Sequence, residues 1–364
     1  MIFNFPRRLQ APLIHTHISV GFFILSHEFQ QLGMQIQITH FKPELLYFMY
    51  VCWHGSRVYM IEELQRDAFR TKFARDPTFY ACYPHPKFPT ISITGDECAL
   101  NCKHCGRRYL RHMISCPTPD VLFTTCSELA ANGARGLLLS GGYNEEGYVP
   151  FEPFLDAIER VKSETGLFLN VHTGLMPAWL ARELGRVGVD MASVDVIGDD
   201  ETMKLVLGLE RTTEDYKGVL LNLSAVVPNV VPHICIGLHA GKIKGERTAL
   251  ELAARGNPKA LVLLVLVPTP GTEFEGVVGP SPAEVGEIIA EARLKSPEVA
   301  LALGCMRPRD DRRVEFELVA LRSGVDRMEI PSNQTLGAAR KLGLQVRRFD
   351  ACCAVPMELT GVLT

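Results

Sequence analysis

Asp96-Glu97-Cys98-Ala99-Leu100-Asn101-Cys102-Lys103-His104-Cys105 places three cysteines within eight residues. An apolar, strand-like stretch from Pro89 to Gly95 leads into the C-x3-C-x2-C run, and a basic, helix-prone segment follows it. Three thiolates this close can hold a soft metal centre, yet they are one short of the four that close a structural zinc or iron–sulfur site. A [4Fe-4S] cubane bound by three cysteines keeps one iron free for another ligand, which makes the chain an enzyme candidate. Zinc would need a fourth ligand nearby, and neither His104 nor His112 restores a usual knuckle spacing.

Outward from this run the chain alternates strand-like and helix-like segments with short connectors, the pattern of a parallel α/β fold. Apolar runs rich in Val, Ile and Leu lie at 90–94, 136–140, 167–171, 190–197, 231–238, 260–267, 299–304 and 326–330. Amphipathic stretches at 119–132, 152–164, 177–186, 213–225, 246–255, 282–294 and 313–323 separate them, and 333–342 closes the series. Eight β–α units over roughly 250 residues predict a TIM-type (β/α)8 barrel. Working groups of such barrels sit at the C-terminal ends of strands. There the chain carries the three cysteines, then Ser140-Gly141-Gly142, Asn170 with His172 and Thr173, Ser193 with Asp195, His239, Pro268-Thr269-Pro270-Gly271, and Cys305-Met306-Arg307. The polar and reactive residues thus gather on one expected rim.

The domain reading is an extension over 1–60, a leading helix and linker over 61–89, a barrel over 90–343, and a cysteine-bearing tail over 344–364. Residues 1–60 hold five of the eleven histidines without a sustained period. They are read as a poorly ordered extension or an over-extended gene start, and are set aside from fold reasoning. The formal charge of −3 is spread without a basic tract, which gives no footprint for nucleic acid. No apolar run approaches the ~20 residues of a membrane span. Eleven cysteines without a convincing signal peptide point to a reducing cytoplasm and to metal or catalysis rather than disulfides. Cys52, Cys82, Cys116, Cys126 and Cys235 are read as ordinary core or surface thiols. Cys305, Cys352 and Cys353 form a second candidate set, again one ligand short of a closed site.

The cysteine run, from Ser92 to Gly106, resembles the signature of the radical S-adenosylmethionine (SAM) superfamily. That resemblance implies a [4Fe-4S] cluster on Cys98, Cys102 and Cys105, whose open iron SAM chelates and at which SAM is cleaved to a 5′-deoxyadenosyl radical. The superfamily's usual aromatic before the third cysteine is here His104. Leu139-Ser140-Gly141-Gly142 resembles its Gly-Gly-Glu motif for the methionyl amine, although Tyr143 stands in the third place. His172, Ser193 and Asp195 become candidates for the ribose and carboxylate of SAM, with helix caps or satisfied core groups as the plain alternative. Gly241-Lys242-Ile243-Lys244-Gly245-Glu246 partly resembles an adenine-contacting motif, or caps the next helix.

From about Phe79 to Cys353 the chain resembles the biotin synthase-like branch, and within it the second component of the archaeal-type lipoyl synthases that work as two proteins. Val171-His-Thr-Gly-Leu, Pro268-Thr-Pro-Gly-Thr and Gly304-Cys-Met-Arg-Pro carry that part. It implies radical sulfur insertion into an octanoyl chain on a lipoyl-domain or carrier protein, with sulfide from an auxiliary cluster on Cys305, Cys352 and Cys353. Arg307 would tune that cluster or bind a carboxylate, unless it makes a surface salt bridge. A second radical SAM subunit and an electron donor such as ferredoxin or flavodoxin are the implied partners. Other reactions of the branch (mutase, methylation-linked, C–C cleavage) and a cluster-binding scaffold subunit remain open at this point.

Overall fold

The computed structural model describes residues 59–356. The chain divides into two compact units, Met1–Glu63 and Leu64–Thr364, and the architecture below is that of the second. Most of the 1–60 extension, Cys52 included, lies outside the described residues.

Eleven strands form one parallel sheet: β1 (Thr78–Cys82), β2 (Thr90–Ser92), β3 (Ile114–Ser115), β4 (Gly136–Ser140), β5 (Phe168–His172), β6 (Met191–Asp195), β7 (Asn229–Ile236), β8 (Ala260–Val265), β9 (Ala300–Leu303), β10 (Arg327–Glu329) and β11 (Gln345–Phe349). Among the described residues the α-helices are α1 (59–73), α2 (Pro119–Ala131), α3 (Leu155–Thr165), α4 (Ala178–Arg186), α5 (Asp200–Leu207), α6 (Thr213–Ser224), α7 (Glu246–Arg255), α8 (Pro282–Lys295), α9 (Arg313–Arg322) and α10 (Asn333–Lys341). Local chemistry sets their starts. Ser281 and Glu284 form a capping box ahead of α8, with Pro282 inside its first turn, and Thr212 and Asp215 do the same for α6.

Strands of a doubly covered parallel sheet should be apolar on both faces, and β8 is buried at all six positions. Alternation splits its side chains into two layers. Leu261, Leu263 and Val265 join the core shared with the helices, while Ala260, Val262 and Leu264 face a separate inner layer with Phe168, Met191 and Val231. This inner layer is the lumen of a curled sheet.

All eight expected strands are present and neighbour one another in chain order from β4 through β10. The ring of eight, however, does not close between β2 and β10. The order is β11-β1-β10-β9-β8-β7-β6-β5-β4-β2-β3. The cause is β1, which lies in the stretch read as linker and pairs with β10 through Tyr80↔Arg327 and Cys82↔Glu329. The tail then adds β11 beside β1. After β11 the chain turns inward, so that Ala351, Cys353, Ala354 and Val355 pack in the lumen layer.

Candidate active site

The cysteine loop leaves β2 and folds back against the turn after β4. The Gly142 N–H donates to Thr94 Oγ1 at 2.7 Å, Thr94 Oγ1 donates to the Glu97 carbonyl at 2.8 Å, and the Ala99 N–H donates to the Tyr143 carbonyl at 2.7 Å. The Tyr143 N–H points at Cys98 Sγ, 3.3 Å away. A Cβ on Gly142 would stand 2.0 Å from the Glu97 carbonyl oxygen and 2.5 Å from Cys98 Cβ. This glycine is therefore required by the cysteine loop itself. The opposite flank of the loop is clamped by the segment after β8. Lys103 takes the Phe274 N–H on its carbonyl and pairs with Glu273 at 2.8 Å, while Tyr109 Oη meets Thr269 Oγ1 at 2.8 Å. Gly271 lies so close to the Arg108 guanidinium that a Cβ would overlap it. The Pro268-Thr-Pro-Gly-Thr segment thus serves to hold the cysteines in place.

Burial pushes the Cys102 thiol up to about 12, with the neighbouring charges of Cys105 and Cys98 acting the same way, and burial raises Cys105 too. Among the described residues no three Cys, His, Asp or Glu side chains stand as a ready-made site for a single ion. Three mutually interacting thiols on a glycine-backed loop fit a cluster whose irons stand between them, and loading it must displace thiol protons.

At the mouth of the lumen, His172 Nε2 lies 3.3 Å from Asp195 Oδ2, and the His172 and His233 rings meet edge to face at 5.6 Å. Burial pushes the Asp195 carboxyl up, but charge and hydrogen bonding from His172, with His233 and His104 behind it, outweigh this and hold it at about 2. Burial lowers His172, and Asp195 more than compensates, so its pKa is raised. His233, buried and next to His172, drops to about 4. His104 also falls to about 4 through burial, and its Nδ1 has no hydrogen-bond partner. One turn deeper, Ser193 Oγ donates to Asn170 Oδ1 at 3.0 Å, both buried. Ser193 is in this way a satisfied lumen residue beneath the pair formed by His172 and Asp195. Thr173 is buried and bonded to the Gly174 carbonyl. Ser140 ends β4, and its carbonyl accepts the Ile93 N–H. In the 241–246 segment, Gly245 takes a left-handed turn ahead of α7 without a side-chain cap, and Glu246 in the first turn accepts the Gly237 N–H at 2.8 Å, tying the helix start to the end of β7.

The second set gathers beside β1 and β10. The neighbouring thiols Cys352 and Cys353 act on each other, which lowers the first and raises the second. The charge of Cys305 acts on Cys353, and that of Cys352 acts on Cys305 and on His172. Cys82 belongs with them. It is fully buried in the lumen layer, its thiol pushed up to about 12 by burial, and it interacts with both Cys352 and Cys353. The sequence reading had left it among ordinary core thiols. Its signal was the alternation of Tyr80 and Cys82 on one face of an unrecognised strand.

Arg307 does not face the lumen ligands as a free guanidinium. It is 1% exposed and donates to the Gly304 carbonyl, to Glu317 Oε1 at 2.8 Å and to the Glu329 carbonyl at 2.7 Å. Its anionic partner is Glu317, itself fully buried and further bonded to Arg313, Ser332 and Thr335. A buried salt bridge, neither a surface one nor an open carboxylate site, is what this arginine makes. Arg309 lies nearer the thiols, reaching the Cys305 carbonyl at 3.3 Å and pairing with Glu329.

No protein-family model matches the chain. It is 23% identical over 257 residues to the biotin synthase of Beijerinckia indica subsp. indica, covering 67% of this chain and 79% of that one. It is 26% identical over 249 residues to the biotin synthase of Halorhodospira halophila, covering 65% and 73%. Among solved structures, methylornithine synthase (PylB) superposes with a TM-score of 0.55 at 17% identity, over 79% of this chain and 89% of that one. The hydrogenase maturase HydG of Carboxydothermus hydrogenoformans gives a TM-score of 0.55 at 11% identity, over 97% and 88%. By sequence the chain is thus similar to biotin synthases over about two thirds of its length, and it shares the fold of these solved structures. Among the described residues no helix is long and apolar enough to cross a membrane.

Proposed function

We propose that the chain is a radical SAM enzyme that inserts sulfur into an unactivated carbon of an octanoyl chain carried by a lipoyl domain or carrier protein, in the manner of a lipoyl synthase. The observation that carries this reading is the position of the pair formed by His172 and Asp195 between the thiol sets. In the sheet order β5 and β6, which bring His172 and Asp195 to 3.3 Å of each other, lie between β2, which leads into the cysteine loop, and β9, β1 and β11, which lead to the second thiol set. A substrate carbon beside that pair would be within reach of both sites.

Cys98, Cys102 and Cys105 would hold the cluster that, with SAM, supplies a 5′-deoxyadenosyl radical. Cys305, Cys352 and Cys353 would hold the auxiliary cluster that supplies sulfide. The chain's own contribution is positional. Gly141 and Gly142 let backbone approach the cysteine loop, and with Ser140 they are the proposed contacts of the methionyl group. His172 and Asp195 offer donors and acceptors for the ribose and carboxylate of SAM, while Ser193 is spent on Asn170 beneath them. Beneath these polar groups the apolar inner layer of Phe168, Met191, Val231, Val262 and Ala302 would keep water from a radical that is otherwise quenched. Arg307, through Glu317 and the Gly304 carbonyl, positions the strand end that carries Cys305. The cytoplasm, a ferredoxin or flavodoxin as donor, and a second radical SAM subunit complete the proposal.

The test is anaerobic turnover of an octanoylated lipoyl-domain peptide deuterated along its chain. Sulfur insertion moves deuterium into 5′-deoxyadenosine and gives a product heavier by sulfur. Deuterium transfer without added sulfur points to another reaction of the branch, and absence of SAM cleavage by the lone chain points to a scaffold subunit.

A further inference from the structure

Three thiolates leave a cluster site one ligand short, and the fold brings a fourth to the second set. Cys82 ends β1, where it pairs in register with Glu329 of β10 and with Phe349 of β11. Phe349 lies three residues before Cys352, so the tail thiols start from the strand beside Cys82. Glu329 pairs with Arg309, which binds the Cys305 carbonyl. Cys82, Cys352 and Cys353 share the lumen layer.

The arginine beneath them points to an occupant. Arg327 is 0% exposed and spends Nη1 on the carbonyls of Cys353 at 3.1 Å and Val355 at 2.6 Å. Its Nε and Nη2 have no hydrogen-bond partner, and the nearest carboxylate oxygen, on Asp326, stands 3.5 Å from Nε. A buried guanidinium with idle donors is costly unless an anion faces it. Its charge acts on both Cys82 and Cys352. An iron–sulfur cluster bound by four thiolates is net anionic and offers sulfur acceptors, which matches what Arg327 lacks.

We infer that Cys82 is the fourth protein ligand of the second cluster site, closing it as an all-cysteine site with Arg327 as its buried counter-charge. This rests on the reading that Cys305, Cys352 and Cys353 hold a cluster. Its consequence is a division of labour. With every iron thiolate-bound, the second site has no vacancy for SAM, which is confined to Cys98, Cys102 and Cys105.

The experiment uses the full chain carrying Cys98→Ala, Cys102→Ala and Cys105→Ala, reconstituted anaerobically with iron and sulfide, so that only the second set is read. About four irons per chain are expected for a [4Fe-4S] cluster. Adding Cys82→Ser should either halve the iron or leave it in place with about one iron in four shifted in the Mössbauer spectrum. Iron and spectrum both unchanged would overturn the assignment of Cys82. Cys305→Ser, Cys352→Ser and Cys353→Ser together, in the same background, test the underlying reading, which fails if iron is retained. Should Cys82 variants not fold, cyanide added to the parent variant decides. A closed site leaves its spectrum unchanged, and a shift in a single iron means an open position and overturns the inference.

Discussion

Cys98, Cys102 and Cys105 come from one loop of consecutive residues, whereas Cys82, Cys305, Cys352 and Cys353 come from the ends of β1 and β9 and the segment after β11. The first set is held by backbone: a turn with the Cys105 N–H on the Cys102 carbonyl, a glycine with no room for a Cβ, and the segment after β8. The second set is held by buried charge, with Arg327 on the tail carbonyls and the pair of Arg307 and Glu317 behind Cys305. The first should fail when a side chain intrudes, and the second when a charge is removed.

The largest effect is expected from Gly142→Val. Its new side chain must displace the Glu97 carbonyl and Cys98, and misplacing a reacting group by an ångström costs roughly 10²-fold. Deoxyadenosine formation should fall by at least that factor while the second set keeps its iron. Equal loss of iron at both sets would mean that the two are not independently held.

Arg307→Met strikes the other kind of support. Removing one partner of a buried ion pair costs about 3–5 kcal/mol, whereas replacing both by apolar groups is often neutral. Urea unfolding should show that loss for Arg307→Met and its recovery in the double variant Arg307→Met/Glu317→Leu. Glu317 is pushed up by burial, but Arg313, Arg307 and Ser332 hold it at about 2, below its ordinary 4.5. A depressed carboxyl stabilises the fold above its ordinary pKa and ceases to do so as pH falls through its folded value. Stability should therefore decline from about pH 4.5 towards pH 2, and Glu317→Gln should flatten that decline.

The same contrast explains what could be read in the sequence. A loop whose ligands are neighbours in the chain is written out in order, and so are the eight apolar runs, because a buried parallel strand needs little more than local composition. β1 escaped because Thr78–Cys82 is short, and its pairing with β10 is a contact across more than two hundred residues. Cys82 escaped with it. Arg307 and Glu317 meet only because α9 packs behind the ends of β9 and β10, and nothing local announces that both are buried. Gly142 was noticed for the right residue type, but its tightest neighbour is the cysteine loop.

The smallest expected effect lies where the two regions meet. At neutral pH Asp195 is ionised and His172 has its pKa raised towards protonation. The Asp195 contribution to stability is present above its ordinary 3.8 and disappears as pH falls through about 2. The His172 contribution is present below its ordinary 6.5 and disappears as pH rises through its raised folded value. Both act together between 3.8 and 6.5. The pair is partly open to the lumen, with 44% of the Asp195 side chain exposed, so Asp195→Asn should cost only about 1 kcal/mol there. Urea midpoints across pH 2–8 should lose both limbs of that profile in the variant. A variant that kept the alkaline limb would show that His172 draws its raised pKa from elsewhere, with Cys352 the next charge in line, and would put the second thiol set rather than the first in control of the histidine between them.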